Sequence, residues 1–203
     1  MTRGPGGVDE DKRATLRRFA ALGAASPFVG IASADSDSDA PDAIVGYVAA
    51  TPGAHFSKLR DDLGLGTGEA QHHLRGLVDN GALESRKDGD YRRYFPAGRF
   101  SSDEKVALGY LRRETPRGIV ISLLRTPGSG PSALSEQLEV SRPAISKAAS
   151  ELAGAGLLDR EDGYTLEDPT TLLVLVVAYA DSFGEEAAAL AAEAPAYISY
   201  EPS

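Results

Sequence analysis

Apolar residues recur along this chain at helical spacing, and one stretch of the pattern is written twice. The segment IVGYVAATPGAHFSKLRDDLGLGTGEAQHHLRGLVDNGAL (Ile44 to Leu83) lies over IVISLLRTPGSGPSALSEQLEVSRPAISKAASELAGAGLL (Ile119 to Leu158) at an offset of 75, without a gap. Ile44/Ile119, Val45/Val120, Thr51/Thr126, Pro52/Pro127, Gly53/Gly128, Ser57/Ser132, Leu59/Leu134, Leu63/Leu138, Leu77/Leu152, Gly81/Gly156 and Leu83/Leu158 are identical. Two Thr-Pro-Gly turns and a leucine ladder in one register point to two copies of one domain.

Each copy predicts three helices and a hairpin. An apolar helix (about 43–50, and 118–125) stops at Thr-Pro-Gly, because proline restricts the residue before it and glycine frees the turn. A short second helix follows, with Ser57 or Ser132 near its cap and Leu59/Leu63 or Leu134/Leu138 four residues apart. After a turn of three or four residues, a third helix spans about 67–80 and 142–155. Its apolar stripe is Ala70, Leu74, Leu77 and Val78 in the first copy and Ile145, Ala149, Leu152 and Ala153 in the second. Ser141 caps the latter, Pro143 sits in its first turn, and Gly81 and Gly156 take the place of a left-handed cap. Beyond those glycines the period becomes two. Ala-Leu-Glu-Ser-Arg, a turn at Lys87-Asp88-Gly89-Asp90 and Tyr-Arg-Arg-Tyr-Phe-Pro predict a hairpin, and a shorter, acidic one follows in copy two.

Composition adds limits. The 203 residues are 42 % apolar and 25 % charged, which suits two small domains with separate cores. There are no cysteines, which excludes disulfides, thiolate catalysis, cysteine zinc sites and thiol redox sensing. The net charge is −9, with five Lys and sixteen Arg among the 21 basic residues. This reads as a halophile's surface, with a mesophilic acidic protein as the alternative. Net acidity opposes nucleic acid as a partner unless the basic residues concentrate on one face. Residues 44–98 hold seven basic and seven acidic residues, whereas 117–168 hold five and eight, so the first copy is the better candidate.

A helix, a short helix, a tight turn, an amphipathic third helix and a two-stranded hairpin resemble the winged helix-turn-helix family of DNA-binding domains. The tandem arrangement, with AATPGAHFSKLRDDL and EAQHHLRGL, looks most like haloarchaeal transcriptional regulators of the arsenic-repressor and multiple-antibiotic-resistance-repressor type. The resemblance implies a mainly α fold with small β-hairpins, of the α+β class: two tandem winged helix-turn-helix domains (43–100 and 117–168) plus terminal helices. A connecting helix is expected over 101–116, a signal-like segment and acidic linker over 1–42, and a C-terminal helix and tail over 169–203. It also implies that the third helix enters a major groove and that the hairpin lies along phosphates.

Residues between the apolar positions of that helix are then the DNA-binding candidates: Thr67, Glu69, Gln71, His72 and Arg75. Gln71 carries the donor and acceptor that adenine needs, and Arg75 suits phosphate. His73 is expected to tuck against the bundle. The hairpin adds Arg86, Lys87, Arg92 and Arg93, the last two pointing to opposite faces. The second copy offers Arg142, Ser146 and Lys147. Adjacent His72 and His73 diverge by about 100° on a helix, so no metal site is expected and no cofactor is implied.

Two flanking segments remain. The nine apolar residues from Leu172 to Ala180 are too few for a bilayer span and must be covered, by the domains or by a twin helix in a homodimer, and the resemblance favours the dimer. Near the start, Arg17-Arg18, a weakly apolar run and Ala32-Ser33-Ala34 look like a twin-arginine export signal at 13–34. The competing reading is a cytoplasmic helix in which Leu16, Phe19, Ala20 and Leu22 pack on the domains. There is no Gly-rich phosphate loop, metal-ligand spacing or nucleophile elbow, so the expected function is regulation on double-stranded DNA, not catalysis. The alternative is a protein-interaction module that reuses the fold.

Overall fold

The computed structural model describes residues 15–19, 39–161 and 163–194. The chain divides into two units, Met1–Ser101 and Ser102–Ser203. It is mainly helical with two small antiparallel hairpins, an α+β architecture.

In the first unit α1 (Asp39–Ala50), α2 (Phe56–Leu63) and α3 (Thr67–Asp79) precede a hairpin of β1 (Leu83–Asp88) and β2 (Tyr91–Pro96). α1 is buried over most of its circumference, with Ala43, Ile44 and Val48 fully enclosed, which is why its sequence shows no polar face. α2 and α3 each bury one stripe, Leu59 and Leu63 on one and Ala70, Leu74 and Leu77 on the other. Each enclosed leucine contributes roughly 1.5–3 kcal/mol of burial. A helical segment at residues 15–19 lays Leu16 and Phe19 on this core, with the Phe19 ring edge-on to Tyr47 at 5.2 Å. Ala20, Leu22 and the rest of the signal-like stretch lie outside the described residues.

The second unit contains α4 (Ser102–Leu111), α5 (Glu114–Arg125), α6 (Pro131–Gln137), α7 (Arg142–Gly154), β3 (Leu158–Asp159), β4 (Thr165–Leu166), α8 (Pro169–Ala178), α9 (Ala180–Phe183) and α10 (Glu185–Glu193). Leu108, Leu111, Ile119, Leu123, Leu134, Ile145, Leu152 and Val176 form its core. Asp168 caps α8 by accepting a hydrogen bond from the Thr171 amide at 2.9 Å, and that bond holds its carboxyl below the usual carboxylate range.

Several expected boundaries move. The first helix of each copy begins four residues early, at Asp39 and Glu114, because Pro41 and Pro116 sit within the first turn, where a missing N–H costs nothing. The connecting helix therefore ends at Leu111 and does not reach residue 116: Arg113 is extended and opens α5. Neither Ser57 nor Ser132 caps the second helix. His55 does so for α2, its Nδ1 accepting from the Lys58 amide at 3.2 Å, and Gly130 precedes α6. Ser141 holds the N-cap position of α7 without a side-chain hydrogen bond. The C-terminal helix breaks at Gly184, which at φ 103° starts α10 separately. The α8 face is partly open, with Val174 59 % exposed.

Backbone detail recurs at the offset of the sequence repeat. Thr51 N to Tyr47 O (2.7 Å) matches Thr126 N to Ser122 O (2.8 Å), and Leu65 N to Arg60 O (2.9 Å) matches Val140 N to Ser135 O (3.2 Å). The left-handed residue ending the second helix is Gly64 (φ 63°) in the first unit and Glu139 (φ 53°) in the second. A side chain there is strained by about 1 kcal/mol. Glu139→Gly is therefore expected to raise stability by about 0.5–1 kcal/mol, and Gly64→Ala to lower it by about 1 kcal/mol, in urea unfolding. Opposite signs at the two positions are the checkable result.

Candidate nucleic-acid interface

The hairpin is set against the helices by a small network at its root. Gly53, in the left-handed region at φ 81°, turns the chain after Thr51-Pro52 so that residues 53–55 run beside β2. Gly53 N donates to Tyr94 O at 2.8 Å, and Tyr94 N donates to Ala54 O at 3.0 Å. Arg93 locks this edge. Its Nη1 donates to Gly53 O at 2.9 Å, its Nε pairs with Asp88, and the side chain is only 4 % exposed. His55 stacks on Tyr91 with ring centroids 4.9 Å apart, and the Arg93 guanidinium lies 5.9 Å from the same ring.

Strand alternation sorts the four hairpin cations. The register places Arg86 opposite Arg93 and Lys87 opposite Arg92, so the first pair shares one face and the second pair the other. Arg93 belongs to the root network, which corrects the expectation that it is available to a phosphate. Arg92 and Lys87 are exposed like charges directly across the ladder, an arrangement that costs energy until an anion neutralises it. Arg92 also donates to Ser85 Oγ at 3.2 Å, which orients it toward α3. Among the described residues, Lys87 and Arg75 have no ion-pair partner.

Between α3 and the hairpin runs a groove of about 510 Å³, whose walls include Gln71 and Arg75 from the helix and Ser85, Arg92 and Tyr94 from the strands. Three expected residues thus meet: Gln71, Arg75 and Arg92. Asp79 also lines it, so Arg75 and Arg92 share the groove with one carboxylate. His72 is exposed beside Arg75 on the outer side of α3, whereas His73 is half-buried, its ring edge-on to His72 at 5.4 Å. Thr67 accepts from Arg60 Nη1 at 3.4 Å. Glu69 caps α3, its Oε2 accepting from the Gly66 amide at 3.1 Å.

Sequence reasoning missed two features. One is the root network, although a histidine one residue before Phe56-Ser57-Lys58 offers the cap acceptor. The other is that Gly68 and Gly76 leave open space beside α3, with nothing within 4 Å of an added Cβ. A mid-helix glycine costs about 0.5–1 kcal/mol, and no packing inside the protein requires it here. On α7, Arg142, Ser146 and Lys147 are exposed, and the β3–β4 hairpin has two residues per strand and, among the described residues, no buried arginine like Arg93.

Among the described residues, no His/Asp/Glu group could hold a metal and no helix is long and apolar enough to cross a membrane. Burial, reinforced by the cations Arg93 and Lys58, pushes His55 below the ordinary histidine value of 6.5. Its lowered pKa contributes stability that is complete above that value and lost as pH falls through the folded pKa. His55→Asn keeps a capping oxygen and removes the titration. Between about pH 7.5 and about pH 5 the urea midpoint of the variant is expected to fall less than that of the wild type. Equal falls would deny His55 this role.

Residues 38–108 match the model of a family described as an N-terminal HTH domain. No curated protein and no solved structure matches the chain. The matched stretch contains the three helices and hairpin that build the groove, and it supports a helix-turn-helix regulator.

Proposed function

We propose that this chain is a sequence-specific, DNA-binding transcriptional regulator of the tandem winged helix-turn-helix kind, working in the cytoplasm as a homodimer. The observation that carries the reading is the groove in which Gln71, Arg75 and Arg92 converge beside the uncompensated Lys87. Gln71 offers a base edge its paired donor and acceptor, and the three cations suit phosphates on either side of the helix. The bare outer side at Gly68 and Gly76 lets a duplex approach the α3 backbone.

The second unit reads as a degenerate copy: helices at the same offset, an unlocked hairpin and fewer basic residues. Its Arg142, Ser146 and Lys147 are secondary contacts. The dimer reading rests on the α8 face around Val174, half-open and apolar. Regulation is by occupancy of operator DNA, with half-sites set by the symmetry of the pair. The haloarchaeal, repressor-type affinity rests on the sequence resemblance, and the surface carboxylates agree with it. No step of this function requires a catalytic group, metal or cofactor.

A gel-shift titration on genomic fragments across salt concentrations tests the reading. Binding is expected to weaken as salt rises, with two chains per shifted duplex. Arg92→Ser with Lys87→Ser should weaken binding to all sequences and lower the salt slope by about two. Gln71→Ala is expected to relax selectivity instead. A shift that ignores salt, or none, favours a protein-assembly role, for which the short acidic hairpin of the second unit is the relevant observation.

Gly76→Ala separates folding from binding. Stability should rise by about 0.5–1 kcal/mol while DNA affinity falls. Improved stability with unchanged affinity would remove the outer side of α3 from the interface.

A further inference from the structure

The second unit contains a groove of about 360 Å³ between the start of α5, the α6–α7 turn and the α9–α10 junction. That volume lies at the small-molecule end of the roughly 300–1,000 Å³ typical of ligand sites. Its apolar wall is Leu138, Val140 and Phe183. Phe183 is held by Arg112, whose guanidinium lies 4.2 Å from the ring centroid and donates to Ser182 O at 2.9 Å. Leu138 packs closely over Gly118: an added Cβ would come within 2.9 Å of Leu138 Cδ2, and that side chain would have to shift.

Into this groove comes Arg117, half-buried, with Nη1 donating to Leu111 O at 3.1 Å. Among the described residues, its other guanidinium donors make no hydrogen bond. Burial pushes its guanidinium down, an effect opposed by Glu114 and Glu186. Those two and Glu185 also line the groove. The site therefore sets one guanidinium among three carboxylates beside an apolar wall. A simple anion would meet the carboxylates, and a simple cation would meet Arg117. A molecule carrying an ammonium and a carboxylate on one carbon, next to an apolar substituent, satisfies all three features.

The repeat marks the place as a departure from the first unit. Residues one register back at the offset of 75 are Asp42 and Ala43, where the second copy has Arg117 and Gly118. The charge is reversed, and the Cβ that would crowd Leu138 is gone.

We propose that this groove binds a free α-amino acid with an apolar side chain, its carboxylate on Arg117, its ammonium toward Glu114 and Glu186, and its side chain on Leu138, Val140 and Phe183. This goes beyond the DNA reading and does not depend on it. The full chain, without DNA, is titrated calorimetrically with each apolar proteinogenic amino acid up to about 10 mM. At least one is expected to give saturable heat, with its methyl ester and its N-acetyl derivative each binding about ten-fold more weakly or worse. Arg117→Lys should weaken binding about ten-fold, because a lysine cannot present a bidentate fork. Glu186→Gln, on the exposed rim, should also weaken it and keeps the test decisive if Arg117→Lys does not fold. No saturable heat from any amino acid overturns the proposal, as do derivatives that bind as well as the parent or a Glu186→Gln protein with wild-type affinity.

Discussion

The Arg93 guanidinium is the tie on which the placement of the first unit's hairpin depends. It satisfies Gly53 O and Asp88 at once, from a site almost without solvent access. A buried guanidinium is tolerated only when its donors and charge are matched, so the chain around it has little freedom. The Thr-Pro-Gly turn, the cap on α2 and the second strand of the hairpin are fixed together. Because Arg92 follows strand alternation from Arg93, locking one residue inward aims its neighbour outward toward α3. An anion-attracting groove is then a by-product of a structural ion pair.

The second unit shows what happens without that tie. Its turn retains the left-handed glycine, Gly128, yet its hairpin has two residues per strand. Helix positions persist at the offset of 75 because buried leucines and left-handed turns are demanded by packing within each unit. Surface charge is under no such demand. The two units share this spacing of helices and turns and differ where side chains face solvent or line a groove.

Strain and bareness mark both units. Glu139 sits in a conformation that Gly64 adopts freely, and α3 carries two glycines that no internal packing explains. Such departures from local preference identify positions where something other than helix stability sets the residue. At Gly68 and Gly76 the accessible backbone faces outward beside Gln71 and Arg75, the residues best suited to meet a duplex.

The internal repeat, the order of helices, the hairpins and the exposed positions of Gln71 and Arg75 on α3 are legible from the sequence, because amphipathic spacing and Gly or Pro turns are local signals. Pro41 and Pro116 could have moved the helix starts to their true places, since proline inside a first turn is a local rule as well. What sequence could not decide is which of two adjacent arginines turns inward. Alternation puts Arg92 and Arg93 on opposite faces, and Asp88 lies nearby in the same hairpin, but only the approach of Gly53 O, from far along the chain, buries one and frees the other. The walls of the Arg117 groove have the same origin. Contacts between residues distant in sequence settle partners, whereas periodicity settles only faces.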